Sequence, residues 1–358
     1  MPITFLDRIT AVLSGGQPDR VPFAPYDNLV PRGDFERDLR NRGMGLCLRR
    51  SAVWSETTGI AVEYKTEGNI GYTIYHTPVG TVRTARRTHV GRISDGESIE
   101  AEWMVKTEAD FAPVIFMIEH TVFHADYPAF LNQMRDVGTD GIVRLNGLGP
   151  PYDSTSSYFS LEGWATAQHD WPESFAKLLA AEERRAEVLL PLLLEAPGTL
   201  TSMGSLNGIY GPKQYVRYVL PFYQRYTHQF RVAGKDCALH AHNSNLTAFA
   251  DLVKQTEVPV IEAFTPPPCG DLSLADARRL WGPEVVIWVN FPETLFLLGR
   301  QATYDYTVDL LQQDKASGRL VIGMTEMGSY GITDDESERQ FKDGMRAVMD
   351  AIDMHGVY

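Results

Sequence analysis

At 358 residues and a formal net charge of −13, the chain is long enough for a large α/β domain and too acidic to track nucleic-acid phosphates, which need clustered Lys and Arg. Its 44% hydrophobic and 22% charged residues suit a packed globular protein, and no run approaches the ~18 apolar residues of a membrane span. Met1–Arg8 lacks the apolar core of a signal peptide, and Cys47, Cys237 and Cys269 are too few and scattered for a disulfide framework, so a cytoplasmic location is expected.

Residues 5–14 read as a short amphipathic helix ended by Gly15-Gly16, followed by a strand at 21–26. Between 59 and 94 the pattern alternates, as in Ile60-Ala61-Val62-Glu63-Tyr64, with Thr77-Pro78-Val79-Gly80 as a turn, which predicts an inserted antiparallel hairpin or meander. Helical periodicity takes over from about 107. His120 and His124 lie four apart there, a spacing that on a helix mimics a metal motif. A long helix is predicted over 172–194, with Leu178, Leu179, Ala181 and the stretch Val188–Leu194 as its apolar residues.

After residue 195, short apolar runs at 199–203, 237–240, 258–261, 285–289 and 320–323 alternate with helical patterns at 212–232, 246–256, 273–281 and 303–316. Continuous apolar runs are what strands buried on both faces look like, and strand–helix alternation points to a parallel sheet, open or closed into a barrel. Thr333 caps a last helix whose buried stripe is Phe341, Met345, Val348 and Ile352. No linker interrupts the series, so residues 1–358 are expected to form one domain.

Polar residues follow each late run. Asn207 comes after the first, His240-Ala241-His242 ends the second, Glu262 ends the third, Asn290 follows the fourth and Glu326 the fifth. In parallel barrels the C-terminal strand ends build the active site. Side chains two apart on a strand share a face, so His240 and His242 project together and can share one metal ion. Asn207 and Asn290 offer amide donors and acceptors to a bound substrate.

Gly16-Gln17-Pro18-Asp19-Arg20-Val21-Pro22, the stretch from Ser205-Leu206-Asn207-Gly208 through Pro221-Phe222-Tyr223 to His240, and Ile322-Gly323-Met324-Thr325-Glu326 with Gly331-Ile332 resemble the uroporphyrinogen decarboxylase superfamily. The resemblance spans nearly the whole chain, loosely over 28–135. It implies a (β/α)8 TIM barrel with an N-terminal elaboration, here the β-hairpin or meander insertion. The family holds porphyrinogen decarboxylases and zinc methyltransferases that serve corrinoid proteins. The decarboxylases carry an arginine-rich segment after the first strand, whereas Pro25-Tyr26-Asp27-Asn28-Leu29-Val30-Pro31-Arg32 holds one arginine and an added acid, too little positive charge for a polyacidic tetrapyrrole.

The methyltransferase branch implies a His-x-Cys pair at the fifth strand, an acid one strand later and a Cys near the eighth. His240 matches the His, His242 stands where the Cys would be, Glu262 falls near the acid's place, and Tyr330 occupies the final Cys position. Glu326 is then the substitute fourth group, with Cys269 the other candidate. Imidazole and carboxylate in place of thiolate still describe a zinc site, and a harder one.

The function this implies is methyl transfer from a small methylated substrate, such as a methoxyaromatic in an O-demethylation, to a corrinoid supplied by a partner protein. The alternatives are a uroporphyrinogen-type decarboxylase and a non-catalytic, small-ligand-binding relative. Tyr26, Tyr152, Tyr158, Phe159, Tyr210, Phe264 and Phe291 are the aromatics expected near the site. The stiff Pro266-Pro267-Pro268 loop is the expected docking rim for the corrinoid protein. Neither nucleic acid nor membrane is expected, and a homodimer is open.

Overall fold

The apolar runs of the C-terminal half form parallel strands, and three further strands from earlier in the chain complete their sheet. The computed structural model describes residues 3–88, 98–206, 208–326 and 332–358. Its strands are β1 (Phe23–Pro25), β2 (Leu46–Arg50), β3 (Val53–Thr57), β4 (Ala61–Glu67), β5 (Ile70–Thr77), β6 (Gly80–Thr88) and β7 (Ser98–Glu102). Then come β8 (Thr121–Ala125), β9 (Gly141–Leu145), β10 (Leu200–Ser205), β11 (Asp236–His240), β12 (Val260–Phe264), β13 (Val286–Asn290) and β14 (Leu320–Met324).

By its internal contacts the chain divides into two compact units. The first is Met1–Ala52, Tyr127–Gly147 and Pro197–Tyr358, and the second is Val53–Asp126 and Leu148–Ala196.

The first unit holds an eight-stranded parallel sheet in the order β1-β14-β13-β12-β11-β10-β9-β2. Tyr26 pairs in parallel with Cys47, and the amides of Asp27 and Gly45 donate to Cys47 O (3.1 Å) and Phe23 O (2.9 Å). These contacts join the two ends of the sheet, so it closes as a (β/α)8 barrel, as expected. Strands β12, β13 and β14 are buried throughout, which explains their largely apolar sequence, interrupted by Glu262 in β12 and Asn290 at the end of β13. Gly323 lets strands β13 and β14 approach, because a Cβ there would lie 2.3 Å from Trp288 Nε1.

The predicted helices bracket the strands. Phe5–Ser14 starts at a capping box between Thr4 and Asp7 and stops at Gly15, whose φ of 85° suits glycine. The last helix, Asp335–His355, is capped by Asp334 and not by Thr333. The Asp334 side chain accepts from Ser337 N at 2.8 Å, while Thr333 donates its own amide to Ser337 Oγ. Its buried stripe contains the four residues expected.

The second unit contains the expected insertion. Strands β4 to β7 form an antiparallel meander in chain order, and Thr77 pairs with Gly80 across the two-residue turn Pro78-Val79. Strands β3 and β8 form a separate antiparallel ribbon. β8 was not visible in the sequence, and it places His124 on a strand while His120 ends the helix Phe111–Glu119. The helical metal motif is therefore absent. The long helix Pro172–Glu195 buries Phe175, Leu178, Ala181, Glu182, Ala186, Leu190 and Leu193, leaving Val188 60% exposed. Among the described residues, no helix is long and apolar enough to cross a membrane.

Candidate functional site

Parallel register sets the site. His240, the last residue of β11, is the Cα partner of Glu262 in β12, so their side chains emerge on one face at neighbouring strands. His240 Nδ1 lies 2.8 Å from Glu262 Oε2. The carboxylate accepts, which puts the imidazole proton on Nδ1 and leaves the Nε2 lone pair directed away from Glu262.

Glu262 is fully buried and tied on every side. Arg144 Nη1, from β9, lies 2.6 Å from Oε2, and the Tyr26 hydroxyl donates to Oε1. Arg144 Nη2 in turn donates to Tyr26 Oη at 3.3 Å. Burial pushes the Glu262 carboxyl up, but the Arg144 charge and the His240 and Tyr26 hydrogen bonds outweigh it and hold it at about 2. Burial pushes the Tyr26 phenol up, with the Glu262 charge adding to it, so Tyr26 remains a donor. Burial alone would pull Arg144 down, but Glu262 and Tyr26 raise it, and the guanidinium remains charged.

The residue after Glu262 carries backbone strain. Ala263 sits at φ 55°, in the left-handed region, where the register of β12 against β13 shifts between Ile261 and Phe264. A non-glycine residue pays about 1–2 kcal/mol for that conformation. Such bulges re-aim side chains next to functional sites.

His242 stands beyond the end of β11, its ring centroid 6.3 Å from that of His240 and the planes 28° apart. The alternation expected of a strand thus still brings the two imidazoles to one side. Around His242 Nδ1 lie Thr265 Oγ1 (3.2 Å), Asn290 Nδ2 (3.3 Å) and Glu326 Oε1 (3.5 Å). Asn290, at the end of β13, is 2% exposed and uses both ends of its amide. Its Oδ1 accepts from Thr325 N at 2.9 Å, and its Nδ2 faces His242 and donates to Thr265 Oγ1 at 3.3 Å. It braces the loop after β14 against His242.

The four expected metal ligands therefore fall into two pairs. His240 is with Glu262, and His242 is with Glu326. Both Glu262 oxygens are engaged, so that carboxylate stands behind His240 rather than open to a metal. Among the described residues, no three His, Cys, Asp or Glu side chains are already clustered to hold a metal ion. Two donors nonetheless suit one. His242 Nδ1 and Glu326 Oε1 are 3.5 Å apart. Two ligand atoms about 2.1 Å from a tetrahedral zinc ion would be roughly 3.4 Å apart. The lone pair on His240 Nε2 supplies a further donor of matching hardness.

The other expected residues lie elsewhere. Asn207 and Tyr330 fall outside the described residues. Cys269 is exposed, with its Sγ 3.9 Å from Thr294 Oγ1. Of the aromatics, Tyr26 is in the His240 network. Phe264 packs edge-on against Trp281 and Phe291 against Tyr306, on the helical layer. Tyr152, Tyr158 and Phe159 belong to the second unit. A cavity of about 290 Å³, lined by Leu6, Leu13, Met134, Val143 and Asp236 among others, lies at the N-terminal strand ends, where barrels build stability rather than chemistry. Arg144 was missed because a lone arginine inside a strand carries no motif.

No family model matches the sequence, and no curated protein matches it. Among solved structures, a methyltransferase from Methanosarcina mazei superposes with a TM-score of 0.54 at 12% identity, over 99% of each chain. At that identity the likeness is one of fold.

Proposed function

We propose that the chain transfers a methyl group from a small methylated substrate to a corrinoid carried by a partner protein, with zinc held by His240, His242 and Glu326. One observation carries this reading. The imidazole of His240 is fixed by a buried, ionised carboxylate on Nδ1 and presents Nε2, which is how metal-binding histidines are oriented. Resemblance to the zinc methyltransferases and a shared barrel support it.

In this reading Arg144 and Tyr26 keep Glu262 charged, Glu262 fixes the tautomer of His240, and Asn290 holds the loop carrying Glu326 against His242. Bound zinc would supply Lewis acidity to the heteroatom that loses the methyl group. The Pro266–Pro268 loop is the proposed docking rim for the corrinoid protein. It is braced by the Tyr306 hydroxyl on Pro267 O and by Gly270 N on Pro266 O (3.1 Å).

The test is metal content together with methyl transfer. Purified protein should carry or take up about one zinc per chain, and His240→Ala should lose it. With cob(I)alamin and a panel of methoxyaromatics, methylamines and methyl thiols, methylcobalamin should form. A second reading rests on the 2.8 Å contact of His240 Nδ1 with Glu262, namely a metal-free pocket in which the His240–Glu262 pair moves a proton. Protein that neither contains nor binds zinc would select that second reading.

A further inference from the structure

Arg49 and Arg144 are Cα partners on the adjacent parallel strands β2 and β9, so their side chains leave the same face of the sheet side by side. That is the face carrying the site, because Arg144 reaches Glu262 there. The ring of Tyr26 is flanked by both guanidiniums, with Arg49 Cζ 4.1 Å and Arg144 Cζ 5.5 Å from its centroid. Their surroundings differ. Arg144 is buried and neutralised by Glu262. Arg49 is exposed, and among the described residues no carboxylate lies within ion-pair distance of it. Its chain neighbour Arg50 holds Asp27 at 2.6 Å, so that acid is already taken.

Two like charges on neighbouring strands oppose each other, and this pair has a single carboxylate between them. The unmatched cation lies over the Tyr26 ring, whose hydroxyl belongs to the His240–Glu262 network. Over the Tyr26 ring, the Arg49 guanidinium has one face covered and still presents N–H groups, the donor set that grips a carboxylate through two parallel hydrogen bonds. We propose that Arg49 is the receptor for a carboxylate on the small substrate, and hence that the methyl donor is an acid. This rests on the functional reading above for the identity of the donor, but the binding site itself does not.

Binding separates the two. Calorimetric titrations would compare 4-methoxybenzoate, (methylthio)acetate and N,N-dimethylglycine, each beside its amide. At least one acid should bind about tenfold or more tightly than its amide, the range for hydrogen bonds to a charged group. Arg49→Met should abolish that preference. Arg49→Lys, which keeps the charge and loses the planar fork, should retain only part of it. His240→Ala should leave it intact. Circular dichroism and melting curves show whether each variant is folded. The proposal is overturned if no acid is preferred over its amide, or if the preference survives in Arg49→Met. An acid preference without methyl transfer would sink the functional reading and leave Arg49 standing, whereas transfer from neutral donors with no acid preference would do the reverse.

Discussion

Two buried glutamates, one in each unit, have nearly the same neighbours and opposite chemistry. Glu182 in the second unit accepts from the Tyr158 hydroxyl at 2.7 Å and pairs with Arg185 at 2.7 Å, and Arg185 also donates to Tyr158 at 3.3 Å. Glu262 repeats this Tyr–Glu–Arg triangle with Tyr26 and Arg144. Burial raises Glu182 above the usual carboxylate range despite Arg185 and Tyr158, while Glu262 is held at about 2. The Arg185 side chain is 31% exposed and Arg144 only 4%, so water weakens the first pair and not the second. His240 then adds a donor that Glu182 lacks. Glu262 is kept charged in the core because its cation is buried with it and a further donor is present.

The largest expected effect breaks the stronger triangle. Arg144→Met strands the Glu262 charge and should cost about 3–5 kcal/mol in urea or thermal melts, whereas Arg185→Met should cost no more than about 1 kcal/mol, since Glu182 can take a proton instead. Equal losses would show that the triangles are equivalent after all.

Function should divide them as sharply. Glu262→Gln should lower zinc affinity, or activity, by about 10–100-fold through the misoriented His240. Glu182→Gln should leave both unchanged. A zinc affinity in Glu262→Gln equal to wild type would remove Glu262 from the site.

The pH slopes should have opposite signs. In metal-free protein, Glu262 drops from 4.5 to about 2 on folding. Its contribution, on the order of 3 kcal/mol, is present above pH ~4.5 and lost as pH falls toward 2. Glu182 is raised, so its contribution is complete below its unfolded value and is lost as pH climbs from there through its folded value. Relative to wild type, Glu182→Gln should therefore gain stability over the range from the unfolded carboxylate value up to the raised folded one, where the unfolded chain alone is ionised. A flat difference between the two across that range would contradict a raised Glu182.

The smallest effect concerns the strained turn. Ala263→Gly should relieve the left-handed conformation but loosen the unfolded chain, for a net change within about 1 kcal/mol. A larger loss would mean that the Ala263 methyl packs in the site.

The late strands were legible because burial on both faces writes a continuous apolar run. β2 and β9 were not, since each carries arginine in a short strand, and the one in β9 points at a buried acid. His240 and Glu262 were legible as a pair at strand ends. That Glu262 supports the histidine depends on Arg144 and Tyr26, which lie 118 and 236 residues away from their partners and share no spacing rule. Asn290 was visible as a polar strand end, but its role as a brace needed the position of Thr325 N. Glu182 was hidden because a charged residue in a helix is read as solvent-facing.

Closure of the barrel has a consequence for synthesis. Phe23 pairs with Ile322, and the amide of Val21 donates to Gly356 O. The first strand leaves the ribosome roughly 300 residues before its outer neighbour, tens of seconds at ordinary elongation rates of about 5–20 residues per second. Through that interval one edge of β1 has no partner strand, and contacts of such long sequence separation form late. Nascent chains halted before residue 320 should therefore be held by chaperones or lost to proteases, and release past β14 should be what makes them resistant.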